Sequence, residues 1–362
     1  MNKNKAEIEQ TTKVVYGKTF NCYNAAEFLE FLEPLKIRLE RNKIPLSHFL
    51  GKTCLDAGCG GGRATALMAQ AGAKKVVAYD FSDLNIETTL RNAGILGLKN
   101  VEPSTGSLLS LPYPDHTFDI VWCNGVLHHT TDPDLALREI IRVLKVGGHL
   151  WLYLYGSGGV YWYVIDFLRD LVQGTDIRST IAYLSVNEIP TGRIAEFIDD
   201  WYVPFIRRYT SQDVTNRLQE LGVGEICQLK EGMFYDTSVR KLNPAEELWT
   251  GEGDLRYWAR KTSGPLGTNQ FQLPDINEKG SVYQDSCEVL SLSDIFSRID
   301  RSLQSLEKKF PDHRTTFRLS TAAQIQMHLR NEMSKQGIFE YEQFRVWLKN
   351  KAESIEKFGA RQ

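Results

Sequence analysis

Short apolar runs alternate along this chain with longer stretches whose apolar residues recur every three or four positions, the two periods that separate buried strands from amphipathic helices. Val76-Val-Ala-Tyr79 and His149-Leu-Trp-Leu-Tyr-Leu-Tyr155 predict strands. Residues 24–42 carry Phe28, Leu29, Phe31, Leu32, Leu35 and Leu39 at helical spacing, and residues 62–71 put Ala64, Leu67, Met68 and Ala71 on one face before Gly72. Ser82 has the chemistry of a helix N-cap. Asp132-Pro133 supplies an acidic cap and a first-turn proline, followed by Leu137, Ile140, Ile141 and Leu144 and then Gly147-Gly148. Thr210 with Asp213 reads as a capping-box variant, ahead of Val214, Leu218 and Leu221 and a terminating Gly222. Ile226–Leu229 and Tyr257–Arg260 predict a closing antiparallel pair.

Two stretches stand outside that alternation. Residues 156–206 follow a strand and hold Tyr161, Trp162, Tyr163, Phe167, Tyr183, Phe197, Trp201, Tyr202 and Phe205. A segment leaving the carboxyl edge of an α/β sheet lies where ligands bind, so it is expected to be an acceptor-side lid. Most of its aromatic residues are expected to form the lid's own core. Residues 262–285 read as a linker, and three apolar stripes follow: Leu292 to Phe310, Ala322 to Met333, and Phe344 to Ile355. Such stripes bury against one another or against a partner, so the reading leaves open both a packed helical appendage and a homodimer or partner contact.

The densest chemical signal is Leu55-Asp-Ala-Gly-Cys-Gly-Gly-Gly-Arg63, followed by Tyr79-Asp80-Phe81. A strand runs into an acid, then glycines at 58, 60 and 62, then a helix, and Asp80 comes 20 positions after Gly60. This is the layout of a nucleoside-binding crossover: glycine permits the tight turn and close ligand approach, and the distal carboxylate takes ribose hydroxyls. A dinucleotide fingerprint starting at Gly58 would need glycine at 63, where Arg63 stands. Asp56 beside the loop would also repel a diphosphate, which relies on bare amides and the positive helix end. A ligand carrying an ammonium and a sulfonium suits such a loop better.

At this point the chain resembles the class I S-adenosylmethionine-dependent methyltransferases, most of all their type 11 group, which includes the ubiquinone/menaquinone-biosynthesis enzymes. Gly106-Ser-Leu-Leu-Ser-Leu-Pro-Tyr-Pro-Asp-His-Thr-Phe-Asp119 is similar to the family's third and fourth blocks. Ile120–His129 resembles its fourth strand and following loop, and Leu137–Gly148 the helix and turn before its fifth strand. The resemblance covers residues 51–155 and returns at 208–262. It implies an α/β fold: a doubly wound, seven-stranded Rossmann-like sheet with an aromatic lid insertion and a C-terminal helical extension. The expected divisions are an N-terminal helical cap at 1–50, a core at 51–262 with the lid at 156–206, and a linker with helical extension at 263–362. The segment Val14–Tyr23 is expected to fold over the ligand.

The resemblance also implies roles. S-adenosyl-L-methionine is the cofactor. Asp56 neighbours its ammonium, Gly58 and Gly60 offer backbone contact, and Asp80 takes the ribose hydroxyls. Phe81 packs on the adenine, Ser107 and Leu108 lie along the adenine edge, and Asn124 stands near the methionine end. Many relatives have aspartate where this chain has Ser107, which implies looser cofactor binding. His128 and His129 follow the fourth strand, and one of them is the candidate general base. The expected partner is a small-molecule acceptor methylated on oxygen or nitrogen, with methylation of protein or RNA, or a non-catalytic cofactor-binding subunit, as alternatives.

Composition narrows these readings. The 43 basic and 45 acidic residues leave a net charge of −2, not the footprint of a protein that tracks phosphate backbones, which argues against a nucleic-acid partner. No apolar run reaches the length of a membrane span and the start lacks an apolar signal core, so the expected location is the cytoplasm, with no membrane partner. The six cysteines show no pair at metal-ligand spacing and are expected to be reduced and structural, with no metal site.

Overall fold

Seven strands form one sheet: β1 (Thr53–Ala57), β2 (Lys75–Asp80), β3 (Val101–Thr105), β4 (Phe118–Asn124), β5 (Leu144–Tyr155), β6 (Val223–Gln228) and β7 (Asp254–Lys261). Their order is β3-β2-β1-β4-β5-β7-β6. Every pairing is parallel except those of β7, which runs antiparallel to both β5 and β6. This computed structural model describes residues 5–21, 24–233, 236, 244–267, 271–273, 287–334 and 341–361. The helices, in chain order, are α1 (Lys5–Asn21), α2 (Ala25–Glu30), α3 (Glu33–Arg41), α4 (Arg63–Gln70), α5 (Asp83–Ile95), α6 (Pro133–Val143) and α7 (Val160–Leu171). They continue with α8 (Ile177–Val186), α9 (Thr191–Tyr202), α10 (Ser211–Glu220), α11 (Pro244–Thr250), α12 (Cys287–Lys309), α13 (Arg314–Ser334) and α14 (Tyr341–Arg361). No described helix is long and apolar enough to cross a membrane.

The chain divides into two units. The first comprises residues 1–157, 203–239 and 252–277 and contains the whole sheet. The two sheet faces collect alternate strand residues, as period-two side-chain alternation requires. Leu55, Val77, Val121 and Leu152 pack with Leu137, Ile140 and Ile141 of α6. Cys54, Val76, Ile120, Trp122 and Trp151 pack with Leu67 and Met68 of α4. Trp122 and Trp151 are register partners on adjacent strands, wholly buried, and stack at 4.1 Å. The single helix expected over 24–42 is two, α2 and α3. Pro34 lies in the first turn of α3, where it has no N–H to donate into a continuous helix, so the chain breaks just ahead of it.

Caps follow the side-chain chemistry read from the sequence. Asp132 accepts from Leu135 N–H, and Thr210 and Asp213 form both bonds of a capping box. Ser82 is an N-cap without a side-chain bond, its own N–H being taken by Asp80 at 2.9 Å. Arg217 of α10 is 1% exposed and grips both oxygens of Asp134 at 2.7 and 2.8 Å.

The second unit comprises residues 158–202, 240–251 and 278–362. The segment expected as a lid on the core therefore groups with the C-terminal helices, and the expected boundary at 263 does not coincide with this partition. The physical reason is that α7 and α9 find apolar partners there: Phe167 stacks on Phe296 of α12 at 4.0 Å. A polar knot joins the same elements, with Gln326 Nε2 donating to Asp200 at 2.5 Å and Arg330 paired with Asp200 at 3.2 Å. The stripes of α12 and α14 are buried along Leu292, Ile295, Ile299, Leu303 and Leu306 and along Phe344, Leu348, Ala352 and Ile355. Cys22, the Cys287 and Met333 side chains and most of the 262–285 linker lie outside the described residues.

Replacing Arg217 by alanine would leave the Asp134 carboxylate with only the half-exposed Arg138 and the Leu273 N–H as partners among the described residues. Losing one member of such a pair costs about 3–5 kcal/mol. The expected result is a fall in the urea midpoint at unchanged cofactor-site chemistry, and an unchanged midpoint would contradict it.

Candidate active site

The strand order turns at β1, whose neighbours β2 and β4 lead the chain away in opposite directions, and a crevice opens beyond their carboxyl ends. A cavity of about 110 Å³ lies there. Its walls come from Gly58, from Asp80, Phe81 and Asn85, from Gly106 to Leu109, from Asn124 to Val126, and from His129 to Thr131. Ile8, Glu9, Thr12 and Tyr16 of α1 complete it. All belong to the first unit.

The glycine turn is held by several bonds. Gly58 and Cys59 both donate to Tyr79 O, at 2.8 and 3.0 Å. Thr89 and Asn92 of α5 each donate to a carbonyl of the turn, Gly60 O and Gly61 O, at 2.9 Å. Gly58 has φ 84°, and a Cβ there would lie 2.5 Å from a Val126 methyl. A Cβ on Gly106 would lie 2.1 Å from Tyr79 Oη. At both positions the cavity wall is bare backbone because nothing larger fits.

Asp80 is 7% exposed at the end of β2. Its Oδ1 accepts from Ser82 N and Asn85 Nδ2 at 2.9 and 3.2 Å, and its Oδ2 from Gly60 N at 3.0 Å. Burial raises its pKa while those donors oppose the rise. The Asp80 carboxylate thus ties β2 to the glycine turn and also faces the cavity.

Of the residues singled out in the sequence, Gly58, Asp80, Phe81, Ser107, Leu108, Asn124 and His129 line this one cavity, whereas Asp56, Gly60 and His128 do not. Asp56 projects from β1 toward α4, where its carboxylate accepts from Thr65 Oγ1 at 2.6 Å. Burial pushes it up to about 7, which weakens the charge argument built on Asp56. Gly60 spends its N–H on Asp80 and its carbonyl on Thr89. His128 is fully buried, stacked on Tyr155 at 3.9 Å, and held neutral by burial and by neighbouring His129 and Arg207. His129 lies edge-on to it, with Nδ1 on Phe205 O at 2.8 Å.

Sequence reading expected Val14–Tyr23, which includes Tyr16, over the ligand, and missed Ile8, Glu9, Thr12 and Asn85. Polar contacts hold α1 at the rim: Lys13 pairs with Asp83 at 3.0 Å, and Thr131 donates to Glu9 at 3.2 Å. Tyr16 and His129 rings stand 5.4 Å apart.

The family described as "Methyltransferase domain" matches residues 55–152, the segment that contributes every wall of the cavity except α1. This segment is a class I methyltransferase domain of the type 11 group. A curated Escherichia coli relative, named ubiquinone/menaquinone biosynthesis C-methyltransferase UbiE, is 40% identical over 107 residues, 28% of this chain and 41% of the relative. A Shigella boydii protein of the same name matches to the same extent. The chain thus spans about two fifths of the length of the curated relatives it matches. Among solved structures, an S-adenosylmethionine-dependent methyltransferase from Aquifex aeolicus covers 66% of this chain and 99% of its own, at 18% identity and a TM-score of 0.39. A geranyl diphosphate methyltransferase covers 62% and 78%, at 17% identity and a TM-score of 0.40.

The Asp56 environment has a measurable signature. The folded state keeps a proton on Asp56 up to about pH 7, whereas the unfolded chain releases it in the ordinary carboxylate range. The folded state therefore binds more protons between those values, and stability falls as pH rises through that window. Asparagine does not titrate, so the unfolding free energy of Asp56→Asn relative to the natural protein should rise between pH 5 and pH 7.5, by at most about 1.4 kcal/mol per pH unit. Urea titrations at the two pH values that give the same difference would contradict the assignment.

Proposed function

We propose that this protein transfers the methyl group of S-adenosylmethionine to a small organic acceptor in the cavity between the 55–152 domain and α1. One observation carries the reading. The two glycines that must be bare, Gly58 and Gly106, and the buried carboxylate of Asp80 meet in a single cavity within the matched segment. These groups fit an adenosine-type ligand: backbone for close approach, a carboxylate for the ribose, and Phe81 and Leu108 as apolar surface for the base. The bound cofactor would supply an electrophilic methyl group on a positively charged sulfur.

The chain's own residues then orient and deprotonate. Asn124 and Gly125 wall the end of the cavity nearest β4, and Tyr16, His129 and Thr130 wall the acceptor end. A backbone carbonyl only accepts, so the bond to Phe205 O places a proton on His129 Nδ1. Its place on the cavity wall supports His129 over the buried His128 as the proton acceptor. Ile8, Thr12 and Tyr16 of α1 wall the cavity, and cover of this kind would limit water around a step that disperses charge. The nucleophile is an acidic oxygen, nitrogen or carbon; the name of the curated relatives, C-methyltransferases, supports carbon as strongly as the heteroatoms first expected.

Adenosylhomocysteine should bind in calorimetry with one site per chain. Asp80→Asn should weaken it roughly 10- to 150-fold, the range for losing a charged hydrogen bond. His129→Ala should keep that affinity within about threefold while lowering transfer of labelled methyl to a panel of quinols, phenols and amines by about 10²–10⁴-fold. Binding of a nicotinamide dinucleotide with no heat from adenosylhomocysteine would refute the reading.

A further inference from the structure

Two vicinal ribose hydroxyls need two acceptors, and Asp80 is nearly full. A carboxylate offers about four acceptor positions. Ser82 N and Asn85 Nδ2 occupy Oδ1, and Gly60 N occupies Oδ2. At most one position remains. Beside it stands Asn85, 1% exposed and on the cavity wall. Its Oδ1 is buried and has no hydrogen-bond partner among the described residues. The amide cannot be turned around, because Asp80 only accepts and so must face Nδ2. An orphaned buried acceptor is costly in a folded protein, and a donor from a ligand removes that cost.

We propose that Asn85 is the second ribose acceptor: Asp80 Oδ2 takes one hydroxyl of the adenosine moiety, and Asn85 Oδ1 takes the other. The inference rests on the cofactor reading above. Asn85 is anchored through Nδ2 to the same carboxylate, so the two acceptors form one rigid fork at the start of α5. Thr89, one turn further along the helix, donates to Gly60 O and fixes the fork to the glycine turn. The fork reads the sugar as a ribonucleoside.

The test is a binding cycle by calorimetry, using adenosylhomocysteine and its 2′-deoxy and 3′-deoxy analogues with the natural protein and with Asn85→Ala. The natural protein should lose about threefold or more for each missing hydroxyl. Asn85→Ala should bind adenosylhomocysteine three- to tenfold more weakly, the range of one neutral hydrogen bond. It should also bind one of the two deoxy analogues within twofold of the parent. Equal penalties for each deoxy analogue in both proteins would overturn the proposal, as would an Asn85→Ala affinity within twofold of the natural one. Should the variant not fold, the natural protein still decides: a penalty below twofold for either hydroxyl means only one is held, and the proposal falls. Adenosylhomocysteine binding with no Asn85 effect sinks this inference alone, whereas no binding to the natural protein sinks the cofactor reading with it.

Discussion

The attachment of the glycine turn to the end of β2 is the constraint on which the site depends. Tyr79 O receives two N–H groups of the turn, and the next residue, Asp80, receives a third through its side chain. Neighbouring strands are thereby joined at their carboxyl ends by a short loop rather than only by their ladder. Donors from α5 close the arrangement from the other side, through Thr89 and Asn92. The turn needs left-handed φ at Gly58, Gly60 and Gly62, which costs glycine little and other residues more. A cavity wall of backbone follows from that local geometry.

In the proposed reading the same carboxylate serves structure and recognition, and this sets a limit on each. Donors that hold Asp80 in place occupy most of its acceptor capacity, so a ligand with two hydroxyls must find a second group. Asn85 stands where that group is needed, with its amide oriented by the charge beside it. The buried acid on β1 has the opposite character. Asp56 faces α4, not the cavity, and burial raises its pKa until it resembles a neutral polar core residue. Two acids that look alike in the sequence differ in the donors that converge on them: among the described residues Asp56 meets only Thr65, whereas Asp80 meets Gly60, Ser82 and Asn85.

Much of the fold was legible from periodicity and caps. The β7–β6 closing pair, the Thr210 capping box and the Asp132 cap each follow from residue types at fixed spacing. The break between α2 and α3 was legible too, in Pro34, but apolar spacing alone masked it. The partition of 158–202 with the C-terminal helices was not legible. An apolar stripe records that a face is buried and carries no label for its partner, so α7 and α9 read equally well as a lid.

The amino-acid sequence alone determined the class of site: glycines at the turn, an acid at the next strand's end, and histidines after the fourth strand are local chemistry at local spacing. Tertiary structure decided which members face one another. Side chains alternate across a strand and rotate around a helix, so a residue one position away can point out of the cavity, as His128 does beside His129. Only the packed fold brings Ile8, Glu9, Thr12 and Tyr16 of α1, far from Asp80 in the chain, into the wall of the site. Only the packed fold leaves Asn85 Oδ1 without a partner, because satisfaction of a polar atom depends on everything that surrounds it.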